Sequence, residues 1–243
     1  RPVAVKIMLG REAALGNMVE RFRREALAVA RLRHPNVVMV FDTGVEADVG
    51  AFIVMEHLEG TTLAQEIRDR RRLDPEEAVA LALQICAGVH AAHESGLIHR
   101  DLKPANIFLE RRGSEGDSPA LAAKVLDFGL VKILEEFQSL SLTRSGSVLG
   151  TPAYMAPEQC EGKDVDRRAD VYALGCVVYE MLTGRPPFRG SAAAAVLLKH
   201  LTHEPSPPSK YAPDVPRGLD EAVLKALRKS PDERHATVGA FGA

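Results

Sequence analysis

The chain has 243 residues, enough for one large domain or two small lobes around a cleft. Hydrophobic residues make up 46% and charged residues 26%, the mix of a soluble globular protein. With 31 basic residues against 33 acidic ones the net charge is −2, which argues against a strongly basic nucleic-acid binder and against an acidic solvating tail.

In chain order, residues 3–9 (VAVKIML) are β-branched and apolar around a single Lys6, the pattern of a buried strand with one embedded charge. Residues 17–32 predict a helix, with Asn17 as N-cap and Val19, Phe22, Ala26 and Val29 on one stripe. Pro35 ends it. VVMVF at 37–41 and AFIVM at 51–55 predict a hairpin. The short polar stretch 56–60 reads as a linker, and the chain beyond it is mostly helical. Asp74-Pro75-Glu76-Glu77 opens a long helix with an N-cap, a proline at the first helical position and acids in the first turn, running to about Ser95. Val171, Leu174, Gly175, Val178 and Leu182 mark a second buried helix, stopped by Gly184-Arg185-Pro186-Pro187. Two weaker helices are expected near 191–203 and 217–229, and a polar loop at 111–120 between two short strands.

No run of about 18 apolar residues is present, so no transmembrane helix is expected in this stretch, and no signal-peptide pattern stands at its start. Cys86, Cys160 and Cys176 are too few and too scattered for a disulfide framework or a zinc site, and a reducing, intracellular compartment fits. The chain opens without Met inside a strand-like run, so it is expected to be a piece of a longer protein.

The chemistry concentrates in three segments. His99-Arg100-Asp101-Leu102-Lys103-Pro104-Ala105-Asn106 follows the long helix, Asp127-Phe128-Gly129 follows the strand-like AKVL, and Gly150-Thr151-Pro152-Ala153-Tyr154-Met155-Ala156-Pro157-Glu158 comes later. In this order they resemble the catalytic loop, the magnesium-binding loop and the substrate-site loop of eukaryotic-like serine/threonine protein kinases of the kind common in bacteria. The resemblance covers essentially the whole chain.

The resemblance implies an α+β, two-lobed fold. Residues 1–55 would form a truncated, small antiparallel-sheet lobe, 56–60 a hinge, and 61–243 a helical lobe with the catalytic loop, activation segment and substrate-binding loop. It implies transfer of the γ-phosphoryl group of ATP to serine and threonine hydroxyls of proteins, with ATP and magnesium as cofactors. Hard cations take oxygen ligands, so Asp127 and Asn106 are the expected metal ligands. Asp101 would accept from and orient the substrate hydroxyl, Lys103 would reach the γ-phosphate, and Thr151 would bridge Asp101 and Lys103. Lys6 and Glu25 would form the ion pair that holds the α- and β-phosphates. Ala4, Met55, Leu58 and Phe108 would wall the adenine slot, with hinge hydrogen bonds at Glu56 and Leu58 and Met55 as gatekeeper. Arg100 would meet a phosphate on the activation segment, where Thr143 and Ser145 are the expected autophosphorylation sites among Ser139, Ser141 and Ser147.

Three architectural expectations complete the reading. Glu158 should pair with Arg234, Asp170 should hold the backbone of the catalytic loop, and Val29, Val40, His99 and Phe128 should stack into one apolar column. The glycine-rich loop of this family lies upstream of the lysine strand, and only five residues precede Lys6. This stretch alone is therefore expected to be poorly active and poorly stable, with an uncovered edge strand. A catalytically silent fragment or a pseudokinase-like binding or scaffold module is the alternative. The intact Lys6, Glu25, Asp101, Asn106 and Asp127 argue against the module, and LKPAN and GTPAYMAPE argue against a small-molecule phosphotransferase. The expected location is cytoplasmic, with any membrane anchor outside this segment.

Overall fold

The computed structural model describes residues 2–8, 29–46, 50–112, 120–128 and 152–243. The fold is α+β, with two small antiparallel sheets and a helical body. Strands β1 (Val3–Met8), β2 (Val40–Glu46) and β3 (Gly50–Glu56) form the first sheet in the order β1-β3-β2. The expected hairpin forms, but its first strand starts at Val40 and not at Val37. The reason is a competing partner: Val37 bridges Val125 in parallel, and the Val38 amide donates to the Val125 carbonyl at 3.0 Å. The register sets Ala4 opposite Met55 and Lys6 opposite Ile53. Alternation along β1 leaves Val3, Val5 and Ile7 outward, 45–53% exposed, and Ala4 and Lys6 half-buried.

Glu56 still belongs to β3 and Gly60 already opens β4 (Gly60–Thr62), so the residues between the sheets are His57, Leu58 and Glu59. Strand β4 pairs with β5 (Ile107–Arg112), which pairs with β6 (Ala120–Val125). Between β4 and β5 stand helices α1 (Leu63–Arg70) and α2 (Pro75–Glu94). Helix α2 starts as its sequence dictates: the Asp74 carboxylate accepts from the Glu76 amide at 3.0 Å, with Pro75 in the first turn. Ala78, Leu81, Ile85, Val89 and Ala92 form its buried stripe. Gly88 lies where a Cβ would come within 2.6 Å of the Asn36 carbonyl oxygen, so only glycine lets the two segments approach this closely. Asn36 also accepts from the Val125 amide and donates from Nδ2 to the Ala123 carbonyl, both at 2.9 Å. These bonds stitch the two sheets together just before Asp127.

The short helix α3 (Pro157–Cys160) leads to α4 (Arg168–Thr183). Helix α4 is apolar nearly all round, and it is buried nearly all round, the axis of the helical body. It stops at Gly184, whose φ of 72° is the left-handed cap, with a Cβ position 2.0 Å from the Arg71 carbonyl oxygen. Helices α5 (Ala193–Thr202), α6 (Arg217–Ala226) and α7 (Val238–Phe241) follow, so the two weaker helices form where the periodicity put them. No helix among the described residues is long and apolar enough to cross a membrane. Cys86 and Cys176 are buried and Cys160 partly so, and burial pushes the Cys86 thiol up to about 12 and that of Cys160 up to about 11.

His200 on α5 is fully buried, with Nδ1 2.8 Å from the Tyr172 hydroxyl and its ring edge-on to Phe188. Burial first, and the Lys229 ammonium second, lower its pKa from 6.5 to about 4. Below pH 6.5 the unfolded chain therefore takes a proton that the folded chain refuses until about pH 4. Stability contributed by neutral His200 is lost as pH falls through that window, by about 3 kcal/mol. Urea unfolding at pH 7 and pH 4 should show His200→Gln with a shallower acid slope than the parent. Equal slopes would remove His200 from the account.

Candidate active site

The site grows from one buried carboxylate. Asp170, in the first turn of α4, is 1% exposed. Its Oδ2 accepts from the His99 amide at 2.8 Å and from His93 Nε2 at 2.7 Å, and its Oδ1 accepts from the Arg100 amide at 2.9 Å. A rigid helix thereby sets the backbone of the loop just before Asp101. Arg100 takes a φ of 65° and Asp127 a φ of 58°, two left-handed non-glycine residues flanking the same centre. Such strain persists only where the surroundings over-determine it.

His99 serves two bonds with one tautomer. Nε2 donates to the Leu126 carbonyl at 2.8 Å, and Nδ1 accepts from the Asp101 amide at 3.3 Å. Its ring lies 4.8 Å from that of Phe128, and Val29, Val40, His99 and Phe128 are all buried. The Asp101 Oδ2 accepts from Lys103 Nζ at 2.7 Å and from Asn106 Nδ2 at 3.1 Å, and the same Nδ2 reaches the Asp101 carbonyl at 2.9 Å. Asn106 closes the 3₁₀ turn Pro104–Asn106, and its carbonyl accepts from the Leu126 amide at 2.9 Å. One turn therefore carries Asp101 on its side-chain side and the approach to Asp127 on its backbone side. Lys6 Nζ reaches across from β1 to Asp127 Oδ2 at 2.6 Å. The structure thus brings Lys6, Asp101, Lys103, Asn106 and Asp127 into one connected cluster.

Ala4 and Met55 face each other across β1 and β3, half-buried, with Met55 packed on the core. Leu58 and Phe108 are half-buried in the linker and on β5. Glu25, Thr151, Thr143 and Ser145 lie outside the described residues, as do Ser139, Ser141 and Ser147.

The substrate-site loop is anchored as expected at one point and unexpectedly at another. Arg234 Nη1 and Nη2 each donate to a Glu158 carboxylate oxygen at 2.8 Å, with the guanidinium fully buried over the Tyr172 ring. Sequence reasoning missed Gln159, whose Nε2 donates to the Arg100 carbonyl at 2.8 Å and whose Oε1 accepts from the Ala156 amide at 3.0 Å. It also missed what Glu56 does. The Glu56 carboxylate accepts from Lys124 Nζ at 2.7 Å and from the Met39 amide at 2.8 Å, fixing the end of β3 to β6 three residues before Asp127. Nothing in periodicity or motif marks either residue, because each acts on a distant segment. Tyr154 donates to Glu180 Oε2 at 2.6 Å, and burial holds both groups above their ordinary pKa values.

A family profile described as a protein kinase domain matches residues 1–240. Over its whole length the chain is 41% identical to a probable serine/threonine-protein kinase of Corynebacterium efficiens, of which it spans 36%. It is 42% identical, again over its whole length, to the serine/threonine-protein kinase PknB of Mycolicibacterium smegmatis, of which it spans 38%. The chain thus covers less than two thirds of the length of the curated relatives it matches. The solved kinase domain of PknI from Mycobacterium tuberculosis is 30% identical with a TM-score of 0.74, over 99% of this chain and 83% of that one. Rad53, solved in complex with AMP-PNP, shares the fold at a TM-score of 0.77 and 24% identity, over 100% of this chain and 57% of that one. With Lys6, Asp101, Lys103, Asn106 and Asp127 on one connected cluster, the chain belongs to the protein kinase domain family.

Proposed function

We propose that this domain transfers the γ-phosphoryl group of ATP to serine and threonine hydroxyls of proteins. The observation that carries the reading is the Asp101 carboxylate held by Lys103 and Asn106 on a turn bonded directly to the Asp127 segment. In this reading Asp101 accepts the hydrogen bond of the incoming hydroxyl and aims it. Lys103, already beside Asp101, supplies positive charge where the γ-phosphoryl group leaves its donor. Lys6 grips the α- and β-phosphates, with Glu25 as the partner that positions it. Ala4, Met55, Leu58 and Phe108 enclose the adenine ring, and the backbone at Glu56 and Leu58 supplies its hydrogen bonds. Thr151 bridges Asp101 and Lys103.

The donor set fits magnesium. Among the described residues no group of three or more His, Cys, Asp or Glu side chains could hold a metal. A hard cation with one or two protein oxygens, its shell completed by phosphates, is what magnesium requires. Asp127 offers a carboxylate, and with Asn106 Nδ2 spent on Asp101 its amide oxygen is the group left for a cation. When bound, magnesium would neutralise phosphate charge and orient the γ-phosphoryl group.

Arg100 is the regulatory residue of this reading. Its Nε is buried with no hydrogen-bond partner among the described residues, a donor suited to a phosphate on Thr143 or Ser145. The domain would work in the cytoplasm, on ATP and protein substrates.

Incubation of the full-length protein, with the glycine-rich loop expected upstream of Lys6, with γ-labelled ATP, magnesium and a generic protein acceptor tests this. Label is expected on phosphoserine and phosphothreonine after acid hydrolysis, with none on an aminoglycoside acceptor, and phosphopeptides are expected at Thr143 or Ser145. Nucleotide binding with no label on any acceptor would overturn the reading in favour of a binding module.

A further inference from the structure

The short helix α3 carries a side chain that reaches out of its own loop. Its base is rigid. Glu158 is pinned by two hydrogen bonds of 2.8 Å from the buried Arg234, and the Gln159 amide donates to the Ala156 carbonyl at 3.0 Å. From that base the Gln159 side chain joins two backbones. Its Oε1 accepts from the Ala156 amide at 3.0 Å, and its Nε2 donates to the Arg100 carbonyl at 2.8 Å. A primary amide carries an acceptor and a donor on one planar group, so it can tie an N–H to a C=O. A carboxylate of the same length would take the first bond and could not give the second.

The Arg100 carbonyl is half of the peptide group that ends on the Cα of Asp101. The other half, the Asp101 amide, donates to His99 Nδ1 at 3.3 Å. The shorter of the two bonds that fix this peptide plane therefore comes from Gln159. The plane needs fixing because Arg100 has a φ of 65°, a conformation that a residue with a Cβ keeps only where its surroundings hold it. Asp170 holds one side of Arg100, through the amides of His99 and Arg100. Gln159 holds the side toward Asp101. Turning the 100–101 peptide would swing the Asp101 carboxylate off Lys103 and Asn106, its partners at 2.7 and 3.1 Å.

One side chain thus sets the distance between two segments 59 residues apart in the chain. One is the substrate-site loop, on which a protein acceptor would lie. The other carries the carboxylate that would aim the acceptor's hydroxyl. A misplacement of about 1 Å between reacting groups costs about a hundredfold in rate, so a single bond at this junction has leverage.

We propose that Gln159 is a positioning residue for phosphoryl transfer, setting the aim of Asp101 on the acceptor by holding the Arg100 carbonyl. The proposal rests on the kinase reading above and deepens it on the acceptor side. Neither side-chain bond of Gln159 goes to Lys6, Asn106 or Asp127, so nucleotide binding should not sense its loss.

Kinetics of variants in the full-length protein test this. Gln159→Glu keeps the size of the side chain and the bond to the Ala156 amide, and loses the donation to Arg100. It is expected to lower kcat for a protein acceptor about tenfold, the rate equivalent of one hydrogen bond. KM for ATP should be unchanged, and the melting temperature should stay within about 4 °C of the parent. Gln159→Met gives up both bonds and should lower kcat at least as far. Because the effect passes through Asp101, Gln159→Glu should slow Asp101→Asn no further. A Gln159→Glu protein with the parent's kcat would overturn the proposal. So would a loss of kcat matched by a rise in KM for ATP or a fall in melting temperature, the mark of a merely structural role, and so would further slowing of Asp101→Asn. All of these are read against an active parent. A parent that labels no acceptor would end the kinase reading, and this proposal with it, whereas an active parent with an equally active variant ends the proposal alone.

Discussion

Asp127→Asn is expected to lower the initial rate of phosphoryl transfer by at least about a thousandfold, with the melting temperature held within about 4 °C. The two halves of that expectation have different origins. Phosphoryl transfer is positioning and charge, with little covalent work for the protein to do, so losing the carboxylate that the proposed function sets against a cation and the phosphates would remove a main contributor. Stability is little affected because the bond that Asp127 makes among the described residues is to Lys6, whose side chain is 37% exposed. Ion pairs reached by solvent contribute about 1 kcal/mol or less. Asparagine is the right replacement because the φ of Asp127 is 58°, and asparagine tolerates the left-handed region where alanine adds strain. Label transfer and thermal melting on the same preparation check both halves. Transfer at the parent rate would remove Asp127 from the mechanism, whereas a collapse in melting temperature would make it a structural charge.

Much of this molecule is legible in its sequence because local signals and tertiary outcome agree. The start of α2 follows from Asp74 and Pro75, and the end of α4 from Gly184. The candidate site cluster is legible for another reason: its residues are close in the chain within each motif, and the motifs come in order. What was not legible is long-range. Helix α1 was hidden because LAQEIRDR buries only Leu63, Glu66 and Ile67, too short a stripe to show a period. Strand β2 began late because Val37 and Val38 are spent on Val125. The Gln159 bond to Arg100 spans 59 residues and the Lys124 bond to Glu56 spans 68, and no pattern in one segment announces a partner that far away. His93 is the sharpest case. At the end of a helix it reads as a favourable basic residue, and only the fold reveals that it is buried on Asp170.

Arg234→Ala is expected to cost about 3–5 kcal/mol of folding stability, the largest single loss for any side chain in the substrate-site anchor. Arg234 is wholly buried and makes five hydrogen bonds. Two go to Glu158, and the others go to the carbonyls of Arg228, Arg168 and Lys229. Truncation leaves the Glu158 carboxylate buried beside Tyr172 with its guanidinium partner gone, and leaves three carbonyls short of a donor. The penalty arises from the uncompensated charge more than from the lost attraction. Removing Glu158 as well should therefore restore part of the loss, so that the double variant Arg234→Ala with Glu158→Ala unfolds at a higher urea concentration than Arg234→Ala alone. Arg234→Lys should fall between parent and alanine, since an ammonium keeps the charge but cannot fork to both carboxylate oxygens. Urea unfolding of the four proteins decides it. If the double variant is no more stable than the single one, the stability lies in the carbonyl bonds and not in the ion pair.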